Sequence, residues 1–301
     1  MLWRFMQISD MHLASDMDGT WNNRFLCSMM PDVMACLKRD LHMLNPDFLL
    51  LTGDIVSKQT REAMNIARDM VDMLELPYYP MGGNHDFVLA ESRKWFIEAF
   101  RHRLPSPSTY YSFTHKGLHF CVLDAWWKWQ DDTLATISEA AVAAELDKTV
   151  ENVKWSLPPH QFDWLQDDLE THKNLPTIIS LHYPALPIPT RLHRPGFKNG
   201  GSLDNGGLLI YTLQRYPQVK AIFSGHVHMH YVEPKNGITQ VVTGALPEFP
   251  VEYREVRVHA DRLEVYTLGL SDSSFAGRSL IAGKDWTAGE AQDRCAIIPL
   301  R

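Results

Sequence analysis

Residues 45–56 read NPDFLLLTGDIV. A short apolar run, bounded by Asn-Pro on one side and Thr-Gly-Asp on the other, spells a buried strand ending in a turn, with the carboxylate of Asp54 placed at that turn. Upstream, LWRFMQIS reads as a strand and 31–44 as an amphipathic helix. Downstream come a helical stretch over 61–76 and PYYPMGGNHD, a short strand running into a Gly-rich loop. The resulting β-α-β-α-β rhythm predicts a layered α/β architecture. From about residue 110 the character changes. TYYSFTHKGLHFCVLDA reads as a hairpin turning at Lys116-Gly117, and 133–153 reads as helical. HQFDWLQDDLE is a short helix, and TIISLH, VKAIFSGHVH and ITQVVTGA are further strands. A sheet packed on a sheet, with helices outside, accommodates them all. The loop 184–207 and the tail after Leu270 break the rhythm. The expected organisation is therefore one domain over 1–270, with 133–157 as a candidate cap insertion, and a C-terminal extension over 271–301.

The chain has 301 residues, enough to bury a substantial core, and a formal net charge of −7 without long single-sign blocks. That balance argues against bulk nucleic acid or a lipid surface as partner. Four cysteines, Cys27, Cys36, Cys121 and Cys295, lie far apart and make no C-x-x-C pair. Neither a thiolate zinc site nor a dense disulfide framework is expected, and a reducing cytoplasm is the simplest location. No apolar run is long enough to span a bilayer. The opening MLWRFMQISD lacks signal-peptide character, although a chain trimmed of such a peptide reads the same way.

Side chains able to bind metals recur at the C-terminal ends of these apolar runs, where open α/β sheets place their ligands. SDMHL offers Asp10 and His12, LLTGDI offers Asp54, GGNHD offers Asn84, His85 and Asp86, SLHYP offers His182, and SGHVH offers His226 and His228. Any one of them is unremarkable; five in succession at strand ends point to one site. Asp10 and His12, two apart at a strand end, can grip one cation with an oxygen and a nitrogen. Asp54, with two oxygens, can bridge two cations roughly 3.5–4 Å apart. Asn84 can add a neutral oxygen, and the later histidines can complete both shells. In FSGHVHMHY, strand alternation sets His226, His228 and His230 on one side, with His230 about 7 Å further along, in a structural or supporting position.

The ordered set D-x-H, G-D, G-N-H-D, H and G-H-x-H resembles the calcineurin-like metallophosphoesterase superfamily and spans residues 10–228. The segments NPDFLLLTGDIV, YYSFTHKGLHFCVLDA, HQFDWLQDDL and LQRYPQVKAIFSGHVH resemble its cyclic-nucleotide phosphodiesterase-like branch. The resemblance implies a four-layer α/β/β/α sandwich of two mixed sheets flanked by helices. It implies two divalent ions, one held by Asp10, His12, Asp54 and His228, the other by Asp54, Asn84, His182 and His226. It also implies a hydroxide bridging the ions as nucleophile, and His85 beside the leaving group as acid or electrostatic stabiliser. Two cations, two aspartates and one hydroxide leave the site at about +1, which attracts an anionic phosphoester. Asp86 either orients the His85 imidazole or caps the loop. The oxygen and nitrogen donors suit Mn, Fe or Zn. Purple acid phosphatases of the superfamily add a tyrosinate for trivalent iron. Val56 and Ser57 stand two and three residues after Asp54, so no such ligand is evident.

Substrate contacts are sought in the loops. Asn22, Asn23 and Arg24 either reach a phosphate or begin a helix facing solvent. Arg191, His193 and Arg194, with Lys198, form either a basic flap over the cleft or a plain surface loop. Trp126, Trp127 and Trp129 either stack on a nucleobase, pack in the core or join subunits of a homo-oligomer. The favoured function is hydrolysis of a small phosphodiester, such as a cyclic nucleotide or glycerophosphodiester. A phosphomonoesterase or nucleotidase is the alternative, and a non-catalytic scaffold of the same fold is disfavoured because every ligand position is filled. Nucleic-acid exonuclease activity is disfavoured by the acidic balance.

Overall fold

A computed structural model describes residues 1–58, 60–89, 91–130, 133–135, 155–194 and 200–301. Two six-stranded mixed sheets organise the described residues. In the first, Trp3–Ile8, Phe48–Thr52 and Tyr78–Met81 run parallel. Glu252–Val258, Arg262–Gly269 and Cys295–Pro299 extend it by antiparallel pairing. In the second, Leu118–Val122, Thr177–Ser180, Val219–Ser224 and Ile238–Val242 run parallel, with Tyr111–His115 and Tyr231–Lys235 antiparallel at the edges.

The apolar run of the opening stretch divides between two cores, as pleated geometry requires. Phe48 and Leu50 join Phe5, Phe120, Ile178 and Phe223 in an apolar layer between the sheets. Leu49 and Leu51 point the other way, into a cluster shared with Val33, Leu37 and Leu41 of the helix Met30–Leu44 and with Met64, Ala67 and Val71 of the helix Arg61–Asp72. Ile179 and Ile222 do the same for the second sheet, where Phe162, Leu165 and Leu169 of the helix Pro159–Thr171 belong to that cluster. The Phe5 ring lies 5.1 Å from Phe48 in its own sheet, and 5.5 and 5.9 Å from Phe120 and Phe223 in the other. The hairpin at Lys116-Gly117 has both turn residues at positive φ, matching the twist of its strands. The expected helix over 133–153 differs at its start: Thr133–Ala135 is a strand paired with Lys128–Gln130, and 136–153 lies outside the described residues. Sequence reading also missed the helix Gly206–Leu213 and the tail strand Cys295–Pro299, which completes an edge of the first sheet. Among the described residues no helix is long and apolar enough to cross a membrane.

Two polar features tie the layers together. Gln7 shares the inner face with Phe5 and is fully buried. Its amide donates to Thr52 Oγ1 (3.1 Å) and to the Ser224 carbonyl (3.0 Å), and its oxygen accepts from Thr243 Oγ1 (2.7 Å), bridging the two sheets just below the strand ends. On the outer face of the second sheet, Asp168 of the helix Pro159–Thr171 accepts from His119 Nε2 (2.6 Å), Ser112 Oγ (2.7 Å) and Cys121 Sγ (3.2 Å). Burial alone would raise the Asp168 carboxyl, but these donors hold it below its ordinary value.

Gln7→Ala orphans buried partners in both sheets. It is expected to cost on the order of 1–3 kcal/mol, read as a lower urea midpoint at unchanged slope. Asp168 has a depressed folded pKa, so its contribution is present above the unfolded value of about 3.9 and is lost as pH falls through the folded one. The stability gap between the native chain and Asp168→Asn should therefore be open at neutral pH and narrow steadily below about pH 4.

Candidate metal centre

The C-terminal ends of five parallel strands, three from one sheet and two from the other, meet at one edge of the sandwich. Asp10 and His12 follow Trp3–Ile8, Asp54 follows Phe48–Thr52, and Asn84 and His85 follow Tyr78–Met81. His182 follows Thr177–Ser180, and His226 and His228 follow Val219–Ser224. At five of these positions the backbone is left-handed: Asp10 (φ 50°), His12 (45°), Asp54 (49°), His226 (70°) and His228 (52°). Non-glycine residues avoid that region, and such conformations persist where surrounding contacts over-determine them. Here the contacts are explicit. Asp10 N–H donates to the Gly53 carbonyl and His12 N–H to the Asp54 carbonyl, each at 3.0 Å, while Gly225 N–H reaches the His182 carbonyl at 3.0 Å. A Cβ at Gly225 would fall on Ser9 Oγ and Asp10 Oδ2, and one at Gly83 would fall on Asp54 Oδ1, which explains the glycines in SGH and GGN.

These turns converge the side chains. Donor atoms of Asp10, His12, Asp54 and His228 all lie within 4.8 Å of one another, as do those of Asp54, His182 and His226, so two donor sets share Asp54. Asp10, His12, Asp54, His182 and His228 are buried, and His226 is half-buried. His182 Nδ1 donates to the Thr52 carbonyl (2.8 Å), which leaves Nε2 facing Asp54 Oδ2 at 3.2 Å. His228 Nδ1 donates to Glu248 Oε2 (2.8 Å), which leaves Nε2 3.2 Å from Asp10 Oδ1 and 3.3 Å from His12 Nε2. Fixing one imidazole nitrogen as donor to turn the other toward a cation is how proteins orient metal-binding histidines. Asn84 Oδ1 is buried without a hydrogen-bond partner, which is further room for a cation.

The charges agree. Burial disfavours imidazolium at His182 and His228, yet Asp54 and Asp10 push His182 up to about 9, and Asp10 and Glu248 push His228 up to about 10. Burial and neighbouring histidines hold His12 and His226 well below their ordinary value. Two buried carboxylates thus demand positive charge, which divalent cations would supply in place of those protons.

His85 stands beside the first donor set, its ring 4.8 Å from that of His12, and its backbone N–H donates to Asp54 Oδ1 (2.8 Å). Its Nδ1 has no hydrogen-bond partner. The orienting role considered for Asp86 does not hold. Its carboxylate is spent on the backbone N–H groups of Ile55, Val56 and Gly83, at 2.8 to 3.2 Å, and so caps the loop. Burial, then the charge of Asp54, pushes the Asp86 carboxyl up.

The loop side chains expected to meet substrate are engaged elsewhere. Asn22 Nδ2 donates to the Val227 carbonyl, and Asn23, fully buried, bonds Lys284, Thr287 and Ile281 of the tail. Arg24 reaches the carbonyls of Arg278 and Leu280. Arg191 forms a two-pronged ion pair with Asp293, both contacts at 2.7 Å, and also meets Glu290. His193 bonds the Ile188 carbonyl, and Arg194 the carbonyls of Arg191 and His193. Lys198 lies outside the described residues. Trp126 is buried and stacked on Trp155 (3.8 Å), so core packing accounts for it, while half-buried Trp127 lies under the Arg93 guanidinium (3.9 Å) and donates to the Asp124 carbonyl (3.1 Å). The side chain of Trp129 lies outside the described ones. His230 does not continue a strand, because the chain turns through positive φ at His226 and His228. Its buried ring accepts from Gly244 N–H at 3.2 Å. Sequence reading missed Glu248: LPEFP carries no spacing signal, and the carboxylate reaches His228 only through the fold.

Oxygen and nitrogen donors gathered in two sets around a shared carboxylate, at the strand ends of two facing sheets, can hold a pair of metal ions, and family and relatives together make this a metal-dependent phosphoesterase. The chain belongs to the calcineurin-like phosphoesterase family, whose model matches residues 4–230 and whose members use a dimetal centre. A 3',5'-cyclic-nucleotide phosphodiesterase of Nostoc sp. is 25% identical over 234 residues, covering 77% of this chain and 74% of its own. A 3',5'-cyclic adenosine monophosphate phosphodiesterase of Haemophilus influenzae is 24% identical, covering 86% of each chain. A probable glycerophosphodiester phosphodiesterase of Arcobacter nitrofigilis is 25% identical, covering 82% of this chain and 79% of its own. A dimetal phosphatase from Danio rerio shares the fold, with a TM-score of 0.67 at 16% identity over 89% of this chain and 96% of that one.

Glu248→Gln removes the anionic partner of His228 Nδ1 without removing a metal-facing atom. It is expected to weaken divalent-metal binding by about 10–100-fold, measured by calorimetric titration of the chelator-treated protein.

Proposed function

We propose that this chain hydrolyses small phosphodiesters of the cyclic-nucleotide or glycerophosphodiester type, using two divalent ions drawn from manganese, iron and zinc. The observation that carries the reading is the pair of donor sets sharing Asp54. The similarity to phosphodiesterases acting on those two ester classes supports the choice of diester. Asp10, His12, Asp54 and His228 would hold one ion, and Asp54, Asn84, His182 and His226 the other. When bound, two such ions activate water at neutral pH and neutralise the charge of an in-line phosphoryl displacement. Oxygen and nitrogen donors without thiolate suit the three metals named.

The chain's own groups supply the rest. His85 is half-buried, anchored through its backbone on Asp54, and free of hydrogen bonds at Nδ1. It is suited to hold a proton at the mouth of the site and pass it to the leaving alkoxide. Asp86 supports it indirectly, by fixing the loop from 83 to 86 against Ile55 and Val56. Residues 1–270 would form the catalytic domain, while 271–301 braces the loop that carries Asn23.

With manganese added, bis(4-nitrophenyl) phosphate should turn over faster than 4-nitrophenyl phosphate; the reverse order would replace this reading with a monoesterase. His85→Ala should retain bound metal and lose about 10²–10⁴ in kcat, with a smaller loss for nitrophenolate than for alkoxide leaving groups. Asn84→Ala should instead lower metal content, as read by elemental analysis.

A further inference from the structure

Among the described side chains Trp21 is the one exposed tryptophan, with 65% of its surface open, and it stands at the rim of the metal centre. Its ring centroid is 6.1 Å from that of His228. Phe25, half-buried, also packs on this set, its ring 5.3 Å from His228 and 5.0 Å from His12. Two aromatic rings therefore stand against the first donor set, and one of them, the Trp21 indole, faces solvent.

The loop that presents Trp21 is firmly held. Gly19–Thr20 pairs with Arg24–Phe25, and Trp21 N–H donates to the Asn23 carbonyl at 3.1 Å. Asn22 ties the turn to Val227, between the two histidines of GHVH. Asn23 ties it to the tail through Lys284 (3.0 Å), Thr287 (3.2 Å) and Ile281 (2.8 Å), and its backbone N–H donates to Glu248. Arg24 adds the Leu280 carbonyl at 2.9 Å. The polar side chains of this turn thus anchor it, and the large apolar one is left outside. A surface tryptophan forgoes the burial that normally drives it inward. One held in a fixed orientation beside an anion-attracting centre is preorganised for a planar group carried by the anion.

We propose that Trp21 is a stacking platform for the nucleobase of a nucleotide whose phosphate sits at the metal centre, which makes nucleoside phosphodiesters, rather than glycerophosphodiesters, the substrate class. The choice of class rests on the diester reading above. A purine or pyrimidine offers a flat face to the indole and a glycerol group does not. A choline ammonium is held by a cage of rings, whereas here a single exposed indole faces solvent, and base–aromatic stacking is tolerant of which base is present. Trp21 would act on selectivity through binding, without taking part in bond breaking.

Because Trp21 is exposed, its replacement should leave folding intact. The test compares two phosphates differing only in the base, adenosine 5'-monophosphate and ribose 5-phosphate, by calorimetric titration into the metal-loaded protein. The native chain is expected to bind the adenosine compound about tenfold more tightly or better, the scale of one stacked base. Trp21→Ala should abolish that preference, and Trp21→Phe should restore most of it. Equal binding of the two ligands by the native chain, or a preference that survives Trp21→Ala, overturns the proposal. Assaying cyclic AMP and glycerophosphoethanolamine alongside separates the two readings. A base preference without turnover of either diester would refute the diester assignment and leave the platform standing. Turnover of both diesters at the same efficiency before and after Trp21→Ala would refute the platform alone.

Discussion

Two carboxylates, Asp10 and Asp54, lie essentially out of contact with water, and the strand ends around them are arranged to make that tolerable. Buried charge is costly unless paired and hydrogen-bonded. Asp10 accepts from Ser9 Oγ and from His226 N–H, and Asp54 accepts from His85 N–H. Imidazoles of His182 and His228 face their remaining oxygens. Even so the balance is short of positive charge, which is why the carboxylates draw protons onto those two rings and why a pair of cations suits the cluster. The left-handed backbone at five candidate ligands is the conformational cost of aiming every donor inward. Adjacent turns can carry it because each is hydrogen-bonded to the next.

That cluster straddles two sheets, so its geometry depends on their registration. The aromatic layer around Phe5 sets the spacing, and Gln7 bonds to both sheets within the same interface. Further out, the tail takes part. Thr287 accepts from Asn23 and donates to the Phe249 carbonyl, next to the glutamate that orients His228. The extension after residue 270 therefore reaches the centre through Asn23 and Glu248. Asp293, paired with Arg191, holds the loop after His182 to the same tail.

Much of this was legible in advance where local pattern and tertiary role coincide. FLLL read as a strand because burial on both faces leaves a continuous apolar run, and each face did find its own core. Asp10, His12, Asp54, His182, His226 and His228 could be picked out because they stand at recurrent strand ends. Misreadings arose where a polar side chain had two plausible partners. Asp86 was open between an imidazole and the loop, and the backbone N–H groups of Ile55, Val56 and Gly83 took it. Asn22, Asn23, Arg24 and Arg191 had the chemistry of phosphate contacts but bond to distant backbone or to the tail. The three alternate histidines suggested an extended chain, yet the segment bends at each of the first two.

From sequence alone came the layered α/β class, the order of strands and helices through the first half, and the donors a metal pair would need. Those properties reside in periodicity and in residue types next to one another along the chain. Only the tertiary structure decided which donors share Asp54, that Glu248 stands behind His228, that the asparagines of the 21–23 turn anchor while Trp21 faces out, and that the tail closes an edge of the sheet. Each of these depends on residues far apart along the chain meeting in space, which no local pattern of residue types records.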